Sequence, residues 1–286
     1  MAISADAAKV TAGGVTAADF ITAIYTYVNG TSTRFDVVNY TAGEALTIEP
    51  AASLDYSFQL NIRRNGATAF KFLIDPSSGI TDEGDSSTSP TTSADASAEV
   101  GFTLSGTPHA DLLICETDDA FMFLIQDTTR NFDLFGYQGG LIFSPNDESD
   151  PANGIEGYGI LSGIPRFTAS SGTGYMLSTS TTSSTIKIIN TWMIPAMLTT
   201  SGQLHNNRLE SATMQKGVPV PLVAYASGPI YFYCGNSKYF RLMAYDDKHF
   251  PHVRSELATT EGWVFTNYTN SSDQYVFTWK VGVAVA

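Results

Sequence analysis

The chain has 286 residues, enough for one large all-β domain or two smaller ones. Hydrophobic residues make up 43% and charged residues only 15%, so a sizeable core can be buried and surface solvation falls largely to Ser, Thr, Asn and Gly. Acids outnumber bases 28 to 15, a formal charge of −13, which argues against nucleic acid as a general partner because phosphate binding needs Lys and Arg to displace counterions.

Residues 1–14 carry neither a basic n-region nor an apolar h-region, so no secretory signal is read there. No run approaches the roughly 18 apolar residues of a membrane span. The densest stretch, Ala110 to Ile125, is broken by Glu116, Asp118 and Asp119. Synthesis in the cytosol, solubility and no membrane partner are the expectations.

Ala5 to Gly13 reads as a loose leader. One helix follows. Phe20, Ile21, Ile24, Tyr25 and Val28 share a face at 3.6-residue spacing, and Thr16 with Asp19 resembles a capping box. Asn29-Gly30 is expected to stop it through a left-handed glycine.

From Arg34 the pattern turns to β. Phe35 to Asn39 is a short strand. Tyr56, Phe58, Leu60 and Ile62 alternate with polar residues, and Ala69 to Ile74 is their partner across Asn65-Gly66, a strong hairpin signal. Arg63-Arg64 is the only adjacent basic pair, and on a strand its two side chains face opposite ways. Asp75 to Ala98 is nearly devoid of apolar residues and reads as a flexible loop or an extended arm that orders only on assembly.

Strands are then predicted at Val100 to Leu104, Asp111 to Cys115 and Ala120 to Gln126, with a four-residue turn at Glu116 to Asp119. Leu134 to Phe143 contains Gly136, Gly139 and Gly140, which predicts a bulge or a close strand contact. Ser144 to Gly154 is an acidic loop, and Ile155 to Leu161 is a strand. Ser170 to Ser184 reads as a boundary tract. Further strands are expected at Ile186 to Met193, Val218 to Tyr225, Ile230 to Cys234, Tyr239 to Tyr245, Gly262 to Asn267 and Gln274 to Val283.

The fold class is therefore mainly β, an antiparallel β-sandwich or barrel architecture with one short N-terminal helix. The expected organisation is a leader and helix over 1–33, a β-rich domain over 34–169, a linker or long loop over 170–184, and a C-terminal β-rich domain over 185–286.

Residue types that do chemistry are sparse. Asp82, Glu83 and Asp85 lack the full calcium-loop pattern and read as a solvated acidic loop. His249, His252, Asp246 and Asp247 have metal-ligand types, but HxxH around Pro251 suits a turn. No G-x-S-x-G surrounds Ser170, Ser171 or Ser227, and His109 and His205 lack local context. Asp118/Asp119 and Asp147/Glu148/Asp150 are available as paired carboxylates for glycoside hydrolysis, although acidic turns are expected at this composition. Tyr225, Tyr231 and Tyr233 could stack on sugar rings, with strand packing as the simpler reading.

Cys115 and Cys234 lie in apolar runs and read as buried free thiols, a disulfide being the alternative. The sequons at Asn29, Asn39, Asn267 and Asn270 carry little weight in a chain so rich in Ser and Thr. No catalytic residue, cofactor or metal site is assigned.

Three stretches carry a resemblance. They are NGATAFKFLIDPSSGIT, the GGLIFSPNDESDPANGIEGYGILSGIP block from Gly139 to Pro165, and GNSKYFRLM from Gly235 to Met243 with the later EGWVFTNYTN. In these the chain resembles tailed-bacteriophage virion structural proteins, those of the tail, baseplate, fibre or neck. The likeness is one of style and implies no catalytic residue.

It implies a non-enzymatic virion component that forms homo-oligomers and binds other phage virion proteins through strand edges and polar loops. Tail or baseplate is favoured over capsid shell, since only one short helix is visible. The alternatives are a fibre-type protein binding host surface glycan and a tailspike enzyme acting on polysaccharide.

Overall fold

The computed structural model describes residues 5–97, 99–104, 107–127, 134–144, 157–163, 175–178, 191–193, 220–226, 232–244, 258–260, 263–265 and 275–280. Among them the chain is mainly β: two antiparallel sheets and one helix. The strands are β1 (Ala5–Thr11), β2 (Phe35–Thr41), β3 (Ala45–Pro50), β4 (Gln59–Arg64), β5 (Ala69–Asp75), β6 (Val100–Thr103), β7 (Pro108–Thr117), β8 (Ala120–Asp127) and β9 (Leu134–Ser144). They continue with β10 (Gly157–Gly163), β11 (Tyr175–Ser178), β12 (Thr191–Met193), β13 (Val220–Ala226), β14 (Phe232–Ala244), β15 (Ala258–Thr260), β16 (Trp263–Phe265) and β17 (Tyr275–Lys280).

The smaller sheet runs β2-β3-β4-β5-β6, a simple meander. The larger runs β1-β7-β8-β9-β10-β11-β12-β13-β14-β17-β16-β15. Within it β14 also pairs with β9, Asn236 opposite Ser144 and Ser237 opposite Phe143, which closes β9 to β14 into a ring.

The helix α1 (Ala17–Gly30) starts as its sequence dictates. The Asp19 amide donates to the Thr16 hydroxyl oxygen at 3.3 Å, and the Thr16 amide donates to the Asp19 carboxylate at 2.9 Å. This reciprocal pair satisfies two of the amides that every helix start leaves without partners. Its buried stripe is Phe20, Ile21, Ile24, Tyr27 and Val28. Tyr27 occupies the place expected of Tyr25, which is half-buried and stacks on Tyr40 with ring centroids 3.7 Å apart.

The helix also does not end on a left-handed Gly30. It runs through Gly30 to Thr31, whose amide donates to the Tyr27 carbonyl at 2.8 Å. The next residue, Ser32, is drawn away by its hydroxyl, which donates to the Glu116 carboxylate at 2.6 Å.

The inner faces of the two sheets meet in an aromatic core. Phe35, Leu46, Ile48, Leu60, Ile62, Phe70, Phe72 and Ile74 come from the smaller sheet, and Leu112, Ile114, Phe121, Phe123, Ile125 and Tyr137 from the larger. Phe35 meets Phe121 edge-on at 5.4 Å, and Phe72 lies 4.5 Å from Tyr137. The helix closes one side through contacts with both sheets, Phe20 lying 6.5 Å from Phe70. Each such ring contributes about 1.5–3 kcal/mol by leaving water.

On β7 and β8 both faces are buried: Leu113, Cys115, Met122 and Leu124 are as covered as the core-facing residues. This explains why LLIC and AFMFLI read as continuous apolar runs rather than alternating ones.

Several expectations are corrected. Ala5–Thr11 is no loose leader but a strand antiparallel to β7, from Ala5 opposite Thr117 to Thr11 opposite Asp111. The turn between β7 and β8 is Asp118-Asp119 alone, because the ladder continues to Thr117 opposite Ala120. The hairpin connection after β4 is longer than Asn-Gly alone, since the Asn65 amide donates to the Ala69 carbonyl. β3 and β15 add strands to those predicted. β11 stands inside the Ser170 to Ser184 tract, and β14 joins two predicted strands into one.

The glycines of β9 behave as expected. A side chain on Gly139 would meet the Tyr137 hydroxyl at 2.3 Å and Leu60 at 2.7 Å, and the register of β9 and β10 shifts at Gly157/Tyr158.

The Tyr137 hydroxyl is fully enclosed, with no hydrogen-bond partner among the described residues, and burial pushes its pKa up. A buried hydroxyl without a partner costs about 1–3 kcal/mol. Tyr137→Phe is therefore expected to raise stability by about 1 kcal/mol, read as a higher urea midpoint. A lower midpoint would mean that the hydroxyl has a partner.

Candidate functional site

The most elaborate polar construction among the described residues is the outer face of the smaller sheet and the segment 76–97 laid over it. On β4 the side chains alternate. Leu60 and Ile62 enter the core, while Gln59, Asn61 and Arg63 point to the opposite face and are buried there too. Each of the three bonds the overlying segment. The Ile80 amide donates to the Gln59 side-chain oxygen at 2.7 Å. The Asn61 amide nitrogen donates to the Glu83 carbonyl at 3.0 Å and to the Thr47 hydroxyl at 3.1 Å. Arg63 donates to the carbonyls of Asp85 and Thr88 and ion-pairs with Glu99.

The segment also ties itself down. Asp75, at the end of β5, accepts from the Ser77 amide at 2.9 Å, the Ser93 amide at 2.8 Å and the Ser93 hydroxyl at 2.7 Å. Asp82 and Thr91 form a bridge between its two arms. Gly84 has φ +69, and a side chain there would strike the Thr88 carbonyl at 2.5 Å, so only glycine fits this tight turn. Ile80, Pro90 and Ser97 are its buried residues.

A tract with almost no apolar residues is thus ordered within the single chain. The sheet supplies the hydrogen-bond partners that the tract's own composition cannot, and the expectation of an arm that orders only on assembly is corrected.

This geometry also places the acidic residues weighed as a calcium site. The Asp82 carboxylate accepts from the Gly84 amide at 3.0 Å, and the Glu83 carboxylate from the Thr41 hydroxyl. Asp85 accepts from the Ser87 amide and hydroxyl at 2.7 and 2.8 Å and from the Thr88 amide at 2.8 Å, bonds that hold its carboxyl well below the usual carboxylate range. The three carboxylates are spent on separate partners, two within local turns and one on β2. No cluster of metal-ligating side chains occurs among the described residues.

A second polar cluster joins the helix exit to the β7–β8 hairpin. The buried Glu116 carboxylate accepts from the Tyr27 hydroxyl at 2.9 Å and from Ser32. Arg34 ion-pairs with Asp118, and buried Asp119 accepts from the Thr117 hydroxyl at 2.9 Å. Asp118 and Asp119 would have to surrender these partners to act as an acid–base pair.

Arg64, the neighbour of Arg63, ion-pairs with Glu44, so the one basic dipeptide is occupied within the fold and splits across the strand as expected. His109 is exposed on β7. Beside it, the Thr11 hydroxyl and then Lys9 hold the Asp111 carboxyl low. Cys115 is free and fully buried, and burial raises its thiol pKa. An unreactive thiol follows.

Tyr225 stands opposite Tyr233 in the β13–β14 register. Tyr231, His205, His249, His252, Asp246, Asp247, Asp147, Glu148, Asp150, Ser170, Ser171 and Ser227 lie outside the described residues.

No protein-family model matches the chain, and a search of curated proteins gives no match. Sequence reasoning missed the β4 platform, although a signal was present. Gln59, Asn61 and Arg63 form the polar half of an alternating strand, and a long polar tract follows the next strand.

Proposed function

We propose that this chain is a structural component of a bacteriophage virion, assembling with itself and with neighbouring tail, baseplate or neck proteins. The observation that carries the reading is the use the fold makes of its polar groups. Arg63, Gln59, Asn61 and Asp75 are all spent on fixing a polar surface layer over a sheet. A fixed polar surface loses little conformational entropy when a neighbour packs on it, which favours repeated contacts between copies. The sheets supply the other requirement, since their orders end on β1 and β15 and on β2 and β6. Terminal strands can continue pairing across a subunit boundary.

The test is electron microscopy of the purified chain with and without the products of the genes beside its own. Attachment at a defined place on a tail, baseplate or neck assembly is the expected result. A chain that stays separate from every one of those products contradicts the proposal.

A further inference from the structure

The first strand stands at one end of the larger sheet. β1 bonds β7 along seven register pairs, and its other edge is the end of the sheet order. Ala8 and Val10 are only partly buried, and Lys9 is 59% exposed while pairing with Asp111 at 3.1 Å. Ala12 is buried, and its amide donates to the Ala110 carbonyl at 2.9 Å.

Gly13 follows, with open space where a side chain would stand. Gly14 is held against the helix cap, since a side chain there would meet Asp19 at 2.5 Å. The chain is thus fixed on both sides of one pivot, Gly13.

β7 has the opposite need. It carries Leu112 and Ile114 into the core, and without β1 its backbone groups become an open edge. Nothing in ADAAKVT is specific to its own copy, because the ladder, the Lys9–Asp111 pair and the Thr11–Asp111 bond at 2.6 Å form equally with an identical strand from a neighbour. Exchange of an edge strand across a short hinge conserves all of these contacts and adds the avidity of a closed assembly.

We propose that Ala5–Thr11 is exchanged between copies: β1 of one copy pairs with β7 of the next, in the register seen within one chain. This rests on the self-assembly proposed above, and it specifies which element joins the copies.

The register supplies the test, because Ala7 stands opposite Cys115. Two full-length chains with different tags are co-expressed, both with Cys234→Ser. One carries Ala7→Cys and Cys115→Ala. The other keeps Ala7 and Cys115. Neither can close a β1–β7 disulfide within itself.

Exchange predicts a covalent pair carrying both tags after mild oxidation, lost on reduction. A second arrangement, Thr11→Cys on one chain and Asp111→Cys on the other in a Cys115→Ala background, repeats the test at a register pair outside the buried stretch of β7. Unlinked mixed chains in both arrangements overturn the exchange. In that case an oligomeric mass leaves self-assembly standing, whereas a monomeric mass removes both proposals.

Discussion

Replacing Arg63 by Met releases the segment 76–97 while leaving the aromatic core assembled. The guanidinium is 1% exposed and is the largest fully buried side chain among the described residues. It holds two loop carbonyls and Glu99 at once. Without it, the Asp85 and Thr88 carbonyls lose a buried donor and Glu99 loses its closest ion-pair partner, keeping Lys71 at 3.5 Å.

Removing one partner of a buried ion pair costs about 3–5 kcal/mol. The lower end, about 3 kcal/mol, applies here because the Glu99 side chain is 23% exposed. The urea midpoint falls accordingly, and limited proteolysis gains a cut within 76–97 that the unaltered chain resists. Arg63→Lys does not rescue, since one ammonium cannot reproduce a planar fork aimed at three acceptors. Cutting that is unchanged in Arg63→Met would contradict the role assigned to this residue.

Gly140→Ala is the second change with a large expected cost. Gly140 has φ +114, a conformation that residues with a side chain rarely adopt. An added Cβ would stand 2.3 Å from the Asp119 carbonyl, 2.9 Å from the Ala120 Cα and 3.0 Å from Phe58. Two of these three are backbone atoms of the β7–β8 turn and of the strand it leads into, so no rotamer relieves the clash. Backbone strain and overpacking each cost about 1–3 kcal/mol, and together about 3 kcal/mol is expected.

Gly101→Ala is the control. It is exposed on β6 with nothing within 4 Å of the added atom and should change stability by less than about 0.5 kcal/mol. Equal melting temperatures for Gly140→Ala and the unaltered chain would show that the β9 backbone takes another path.

The parts of the fold legible in the sequence are those specified by neighbours in the chain. The capping box of Thr16 and Asp19, the stripe of Phe20, Ile21 and Ile24, and the β4–β5 hairpin all follow from spacings of a few residues. β3 was equally legible, since Leu46 and Ile48 alternate with Ala45, Thr47 and Glu49.

What could not be read depends on distant partners. ADAAKVT has little apolar periodicity and becomes a strand because β7 offers it an edge. The order of 76–97 comes from Gln59, Asn61 and Arg63, and no local feature of a Ser, Thr and Asp tract announces that its partners lie in an earlier strand. The helix end moved to Thr31 for a similar reason, through Ser32 and Glu116.

The candidate acidic groups divide the same way. Asp82, Glu83 and Asp85 look clustered in sequence, yet the turns between them send their carboxylates to separate partners.

Self-assembly is the central claim, and light scattering of the purified full-length chain tests it most directly. The chain mass is 30.7 kDa. The prediction is one species at a fixed whole-number multiple of that mass, stable on dilution and visible as a symmetric particle by electron microscopy. A single species at the mass of one chain across the same concentrations would contradict it.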